Sequence, residues 1–300
     1  MGINEVMPNG PVASGPIAPG RVAVVTGAAS GIGLGMTEAF ASRGMKVLMA
    51  DVERDPLERE ADRLTRMNLE VSPQIVDVSS YDAVEGLADA AERRFGRIHV
   101  LCNNAGVSGG GGGPRPLWAQ GQKDWDWVMG VNFWGVVNGL RAFTPRMIAH
   151  GEEGHIVNTS SILGLTTGPG SIYGVSKHAV ARLTEGLYWD LKNADAKIGV
   201  TLLCPGMIAT NIITSARNRP AALVDAAIQP TQASRDAVAA MDARFKSEGM
   251  APREVGEKVV QAMLDDQFYL LTHPANMAGV QRRFDDIFNL RDPSPAPPLT

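Results

Sequence analysis

From residue 21 onward the chain alternates short apolar, β-branched runs with amphipathic stretches of helical length, and this alternation constrains the fold more than any other feature. The runs are RVAVVTG (21–27), KVLMAD (46–51), EVSPQIVDV (70–78), IHVLCNNAG (98–106), GHIVNTSS (154–161), IGVTLLCPG (198–206) and QFYLLTH (267–273). Between them the spacing predicts helices near 32–43, 56–67, 82–95, 125–150, 172–193 and 254–265. A parallel neighbour needs a crossover of a dozen or more residues, so strands separated by single helices imply βαβ units. The expected fold class is therefore α/β, a doubly wound parallel sheet in a single domain over 21–273.

Two segments break the rhythm, and both follow the carboxyl ends of strands, where ligands bind in open α/β sheets. One is the glycine run GVSGGGGGPRP (106–116); the other, 207–250, is far longer than an ordinary βα loop and reads as a substrate lid insertion. Residues 1–20, rich in Pro and Gly, read as a flexible leader without the basic and apolar regions of a signal peptide. Residues 274–300 read as a C-terminal extension whose Pro-rich end is mobile or docked on a neighbour.

A net charge of −4 gives no electrostatic reason to expect nucleic acid or an anionic membrane as partner. No run of about 18 apolar residues occurs, so no bilayer span is expected. Cys102 and Cys204 lie in strand-like runs and read as buried free thiols of a cytoplasmic protein. Two cysteines and scattered histidines supply no metal site. His99, His150, His155, His178 and His273 fall in no defensible triad spacing.

The first strand runs into TGAASGIG (26–33). A strand, a glycine turn and a helix form the context of a dinucleotide fingerprint: Gly27, Gly31 and Gly33 would let the backbone approach a pyrophosphate held at the helix N-terminus. This gives the expected sheet its Rossmann-type character. Asp51 closes the second strand, where a carboxylate can accept hydrogen bonds from adenosine ribose hydroxyls and repel a 2′-phosphate, favouring NAD over NADP. Ser30 withholds a basic partner for such a phosphate, whereas a swinging Arg54 would soften the preference; the plain alternative is that Asp51 only caps its strand.

YGVSK (173–177) places Tyr173 and Lys177 four apart on one helix face. An ammonium beside a phenol favours phenolate, which would draw the tyrosine pKa down from about 10 and make it a usable acid or base.

With these motifs in order, together with Asp77-Val78, NNAG (103–106), Asn132 in GVNFWG, Ser160-Ser161 and PGMIAT (205–210), residues 21–273 resemble the short-chain dehydrogenase/reductase family. The resemblance implies Tyr173 as general acid/base and Lys177 as the residue that holds the nicotinamide ribose. It implies Ser161 as the hydrogen-bond donor to the substrate oxygen, and Asn132 as holder of a water that relays protons from Lys177. For the cofactor it implies Gly27, Ser30, Gly31, Ile32 and Gly33 at the phosphates, Asp51 and Val52 at the ribose, and Asp77 and Val78 at the adenine. Asn103, Ala105 and Gly106 would line the cleft, and Pro205, Gly206, Ile208 and Thr210 would hold the nicotinamide end. A homodimer or homotetramer is implied as well. The family's tyrosine usually lies thirteen positions after the serine; Ser160 satisfies that count and Ser161 lies twelve away. Ser161 is preferred because the loop LGLTTGPGSI absorbs a one-residue deletion more readily than a strand, where one step flips every side chain.

The lid carries Met207, Ile208, Ile212, Ile213, Leu223, Val224, Ile228, Met241 and Phe245, and Trp118, Trp125 and Trp127 are candidates for either wall or core. This points to a bulky hydrophobic or aromatic secondary alcohol or ketone. Stretches such as DWDWVMGVNFWGVVNGLRAFTPRMI and SARNRP resemble family members that oxidise the benzylic alcohol of lignin-derived aryl ethers. The leading expectation is an NAD-dependent alcohol dehydrogenase. The alternatives are an NADP-linked carbonyl reductase, a catalytically silent nucleotide sensor, or carbon–halogen chemistry on the same scaffold. The glycine run reads as a flexible connector on the lid's rim, because 26–33 already occupies the phosphate position.

Overall fold

A computed structural model describes residues 15–109, 115–225 and 230–297. Most of the leader, the glycine run beyond Gly109, Ile228 of the lid and the last three residues lie outside the described residues. No helix among the described residues is long and apolar enough to cross a membrane.

Seven parallel strands form one sheet: β1 (Val22–Thr26), β2 (Lys46–Asp51), β3 (Val71–Ile75), β4 (Val100–Asn103), β5 (Gly154–Thr159), β6 (Ile198–Cys204) and β7 (Tyr269–Leu271), in the order β3-β2-β1-β4-β5-β6-β7. The connecting helices are α1 (Gly31–Ala41), α2 (Arg54–Arg66), α3 (Tyr81–Phe95), α4 (Gln122–Met129), α5 (Gly135–His150), α6 (Ile172–Asn193), α7 (Gln232–Glu248), α8 (Pro252–Leu264) and α9 (Met277–Phe288).

Alternation along each strand feeds two separate cores. Val47 and Met49 of β2 pack with Met36, Phe40, Leu57 and Val259 of α1, α2 and α8, while Leu48 and Ala50 pack with Leu87, Phe143 and Met147 of α3 and α5. Both faces of the sheet are covered, and the burial of β1 is unbroken, as expected where helices flank both faces. The strand order reverses between β1 and β4, so the chain leaves a crevice at their carboxyl ends.

Three departures from the sequence reading have physical causes. The third run ends as a strand at Ile75, and it tolerates Pro73 because β3 is an edge strand, where a missing N–H costs no ladder bond. The single helix expected over 125–150 is interrupted by a π turn at Gly130–Trp134 between α4 and α5. Finally, the described part of the C-terminal extension is ordered against its own chain. It forms α9, and its tail returns to the same chain: Ser294 N–H donates to Asp286 at 2.8 Å, Ala296 N–H donates to the Thr167 carbonyl at 3.3 Å, and the Thr167 hydroxyl donates to the Ser294 carbonyl.

Candidate active site

A cleft of about 410 Å³ opens along the carboxyl ends of the strands, within the size range of cofactor and small-molecule sites. Gly27, Ser30, Gly31, Ile32, Asp51, Val52, Asp77, Val78, Ala105, Gly106, Ser161, Tyr173, Lys177, Pro205, Gly206, Ile208 and Thr210 all line it. Residues singled out at distant points of the chain therefore meet in one place.

At the first turn Gly27 (φ +70°) and Gly31 (φ +55°) adopt the left-handed backbone that glycine accepts without steric cost. Gly33 serves a different purpose. A Cβ there would stand 2.1 Å from the Gly27 carbonyl oxygen, so its lack of a side chain lets α1 close on the loop. Ser30 at the N-cap makes no side-chain cap bond and the first turn of α1 holds no acidic residue, so its leading N–H groups remain available to an anion.

Asp51 makes the capping contacts weighed from the sequence and also borders the cleft. Its Oδ2 accepts from Ala29 N–H and its Oδ1 from Glu53 N–H, each at 3.0 Å, so it does cap its strand. It also faces the cleft, and each oxygen retains a further lone pair. Burial raises its pKa, partly offset by these backbone hydrogen bonds. Arg54 is engaged with Glu58 at 3.0 Å. This open helix N-terminus, the left-handed glycine turn and a carboxylate at the second strand end together suit a dinucleotide.

At the far end Tyr173 and Lys177 project from the first turns of α6, whose N-cap Ser171 accepts from Gly174 N–H. Tyr173 and Ser161 line the same cleft, and Ser161 favours the phenolate against the opposing effect of burial. The adjacent Ser160 points elsewhere, its hydroxyl donating to the Lys177 carbonyl at 2.7 Å. Lys177 is 3% exposed; its Nζ donates to the Thr159 carbonyl at 2.9 Å and lies 5.7 Å from the Tyr173 ring centre.

The electrostatic expectation for this pair needs correction. Burial raises the Tyr173 pKa above its ordinary value, and the opposing influence comes from Ser161. Burial also pushes Lys177 down to about 8, and for the phenol the effect of burial outweighs the lowering influences around it.

Two other residues stand differently from their expected positions. Asn103 does not line the cleft: it is buried, its amide donates to Asn158 at 2.9 Å, and a Cβ on Gly139 would collide with its side-chain oxygen. The cleft-lining residue is its neighbour Asn104, whose N–H donates to the Thr26 hydroxyl and whose amide nitrogen donates to the Thr26 carbonyl. Asn132 sits in the π turn, fully buried and outside the cleft lining. Its amide oxygen accepts from Val107 N–H at 2.8 Å, and its amide nitrogen donates to the Val107 carbonyl and the Ser176 hydroxyl. Both amide protons are thereby committed and the side chain clamps the β4 loop, while its oxygen keeps a second lone pair.

The 207–250 segment supplies one wall. Ile208, Ile212, Ile213, Leu223 and Phe245 line the cleft, whereas Val224 and Met241 are largely exposed and Met207 is buried against the fold. Trp127 is both core and wall; Trp125 packs behind it, and Trp118 is 89% exposed, neither core nor wall. Cys102 and Cys204 are buried free thiols, with burial pushing the Cys204 pKa up to about 12. Among the described residues no His, Cys, Asp and Glu cluster could hold a metal ion. Sequence reasoning missed Asn104, Thr159, and the Glu53–Arg217 pair that bridges the cleft at 2.7 Å.

Comparison with known proteins agrees with this geometry. A family model for short chain dehydrogenases matches residues 21–221. The chain is 35% identical to 1-deoxy-11-beta-hydroxypentalenate dehydrogenase of Streptomyces exfoliatus, covering 92% of each protein. It is 31% identical to C alpha-dehydrogenase of Sphingobium sp. strain SYK-6, covering 93% of this chain and 88% of that protein. Among solved structures, a short chain dehydrogenase/reductase from Burkholderia phymatum in complex with NAD superposes with a TM-score of 0.88 at 43% identity, covering 95% of this chain and 99% of the other. With the doubly wound sheet, the glycine turn and the Ser-Tyr-Lys cluster in one cleft, this chain belongs to the short chain dehydrogenase family of oxidoreductases.

Proposed function

We propose that the protein transfers hydride between NAD(H) and a bulky hydrophobic or aromatic secondary alcohol or ketone. The observation that carries this reading is the meeting of Ser161, Tyr173 and Lys177 in the same cleft as Asp51 and the glycine turn. The nicotinamide supplies hydride exchange when bound. Gly27 to Gly33 would hold the phosphates, Asp51 the adenosine ribose and Lys177 the nicotinamide ribose. Tyr173 acts as general acid in reduction and general base in oxidation, and Ser161 stabilises the substrate oxygen as charge develops on it.

The wall supports the substrate class. Trp127, Val131, Leu163, Ile212, Leu223 and Phe245 offer apolar surface around a small polar centre. Relatives named for a hydroxypentalenate and for C alpha dehydrogenation support a secondary alcohol as substrate.

A panel of aromatic, alicyclic and aliphatic secondary alcohols, followed by reduced-nicotinamide absorbance with NAD and NADP in parallel, tests the reading. Turnover is expected with NAD on the bulky members; none with either cofactor would sink it. In the same assay Asp51→Ser should lose about 10- to 100-fold in kcat/KM with NAD, the scale of hydrogen bonds to a charged group, while NADP does not fall. Parallel losses with both cofactors would show that Asp51 is only a strand cap.

The two serines are separable by mutation. Ser161→Ala should lower kcat by about 10²- to 10³-fold, as does loss of a donor to a developing oxyanion, with NADH binding retained. Ser160→Ala should keep most activity and lose about 1 kcal/mol of stability, because it removes only the bond to the Lys177 carbonyl. The opposite pattern would reverse the assignment.

A further inference from the structure

We propose that Glu53 and Arg217 form a latch that holds the 211–218 segment across the ribose end of the cleft and sets the rate at which the dinucleotide leaves. The inference rests on the NAD reading of the cleft. The two residues are far apart in sequence. Glu53 is the N-cap of α2, two residues beyond Asp51, and Arg217 lies in a 3₁₀ segment at Ile212–Asn218. Both line the cleft.

Their contact is a two-pronged fork: Arg217 Nε donates to one Glu53 carboxylate oxygen at 2.9 Å and Nη2 to the other at 2.7 Å. Such bidentate pairs are stronger and more directional than point-charge contacts. The Arg217 interaction holds the Glu53 carboxyl below its usual pKa.

What makes this pair a latch is the other side of the guanidinium. Arg217 Nη1 donates to the Asn211 carbonyl at 3.2 Å and to the Thr214 carbonyl at 3.0 Å, so the side chain is splinted to the backbone of its own segment. Breaking the fork therefore frees the segment rather than one side chain. The base of the segment is fixed independently. A Cβ on Gly31 would lie 2.9 Å from the Thr210 methyl, which places Thr210 against the phosphate turn. The segment thus spans the cleft from Gly31 to Glu53, and a dinucleotide seated along Asp51 cannot leave past Glu53 while the fork is closed.

The test is the NADH dissociation rate, read by stopped-flow fluorescence displacement, together with hydrogen exchange of the 211–218 amides in the cofactor-free protein. Glu53→Gln and Arg217→Gln should each release NADH about five-fold faster, the scale of a partly exposed ion pair, and exchange at 211–218 should accelerate. Arg217→Lys should behave like Arg217→Gln, since an ammonium keeps the charge but cannot form the fork. The double variant Glu53→Gln/Arg217→Gln should be no faster than either single one. Unchanged release and exchange in both single variants, or additive effects in the double, would overturn the latch. Should the unmutated protein bind no NADH, the cofactor reading fails instead, and the exchange measurement alone then decides whether Glu53 restrains the segment.

Discussion

Tyr173→Phe is expected to lower kcat by about 10³-fold, within the range of a lost general acid/base, while NADH still binds with nearly unchanged affinity. The expectation follows from where the hydroxyl sits. It lines the cleft together with Ser161, so removing one oxygen from Tyr173 removes the proton donor while the aromatic ring and its packing persist. Burial raises the phenol pKa, so in the oxidation direction the unmutated enzyme should gain activity as pH rises through the neutral and mildly alkaline range. In the reduction direction the protonated phenol is the active form, and activity should hold at neutral pH. The variant should lose this pH dependence along with its rate. Kinetics of both directions across pH, with NADH affinity measured by fluorescence, check the prediction. A loss confined to KM would mean that Tyr173 positions the substrate without exchanging its proton.

The fold was legible because its signal is periodic and local. Strand runs separated by helical stretches of crossover length leave few topologies, and the helix expected over 172–193 is α6 to the residue. What local pattern cannot supply is the direction of one side chain among neighbours. Asn103 and Asn104 are adjacent at a strand end, and successive side chains there point to opposite sides. One had to face the helix layer and the other the cleft, and the pair NN does not say which. Ser160 and Ser161 raise the same problem. The lid shows a second limit: in short 3₁₀ turns Leu223 faces the cleft while Val224 turns outward, with no regular period to distinguish them. The Glu53–Arg217 fork joins positions 164 residues apart, where charge alone gives no hint of pairing. The π turn at Gly130–Trp134 was hidden because its cause is tertiary: Asn132 is held by Val107, a residue of the β4 loop.

Lys177→Met should abolish most activity and yet leave the protein more stable at neutral pH. Lys177 is buried against Thr159, Tyr173 and Cys204, with one hydrogen bond to a carbonyl and no carboxylate paired with it among the described residues. Burial lowers its pKa from 10.5 to about 8. Between those two values the unfolded chain holds a proton that the folded chain has released, so stability rises with pH across that window. Below about pH 8 the folded protein carries the full cost of the buried ammonium, at most about 3 kcal/mol from the size of the shift. Methionine has similar length and no charge, so it removes that cost. It also leaves the Thr159 carbonyl without its donor, which returns about 1–2 kcal/mol of the gain. The net expectation is a rise in Tm of about 2–4 °C at pH 7, shrinking toward zero or reversing near pH 10, where the folded lysine is neutral and most of the cost of its burial has been recovered. Thermal melts of both proteins from pH 6 to 10 measure the difference directly, and groups common to the two cancel. A variant that melts lower at pH 7 would show that the Lys177 ammonium is stabilised where it lies, and that its place in the cleft carries no cost to the fold.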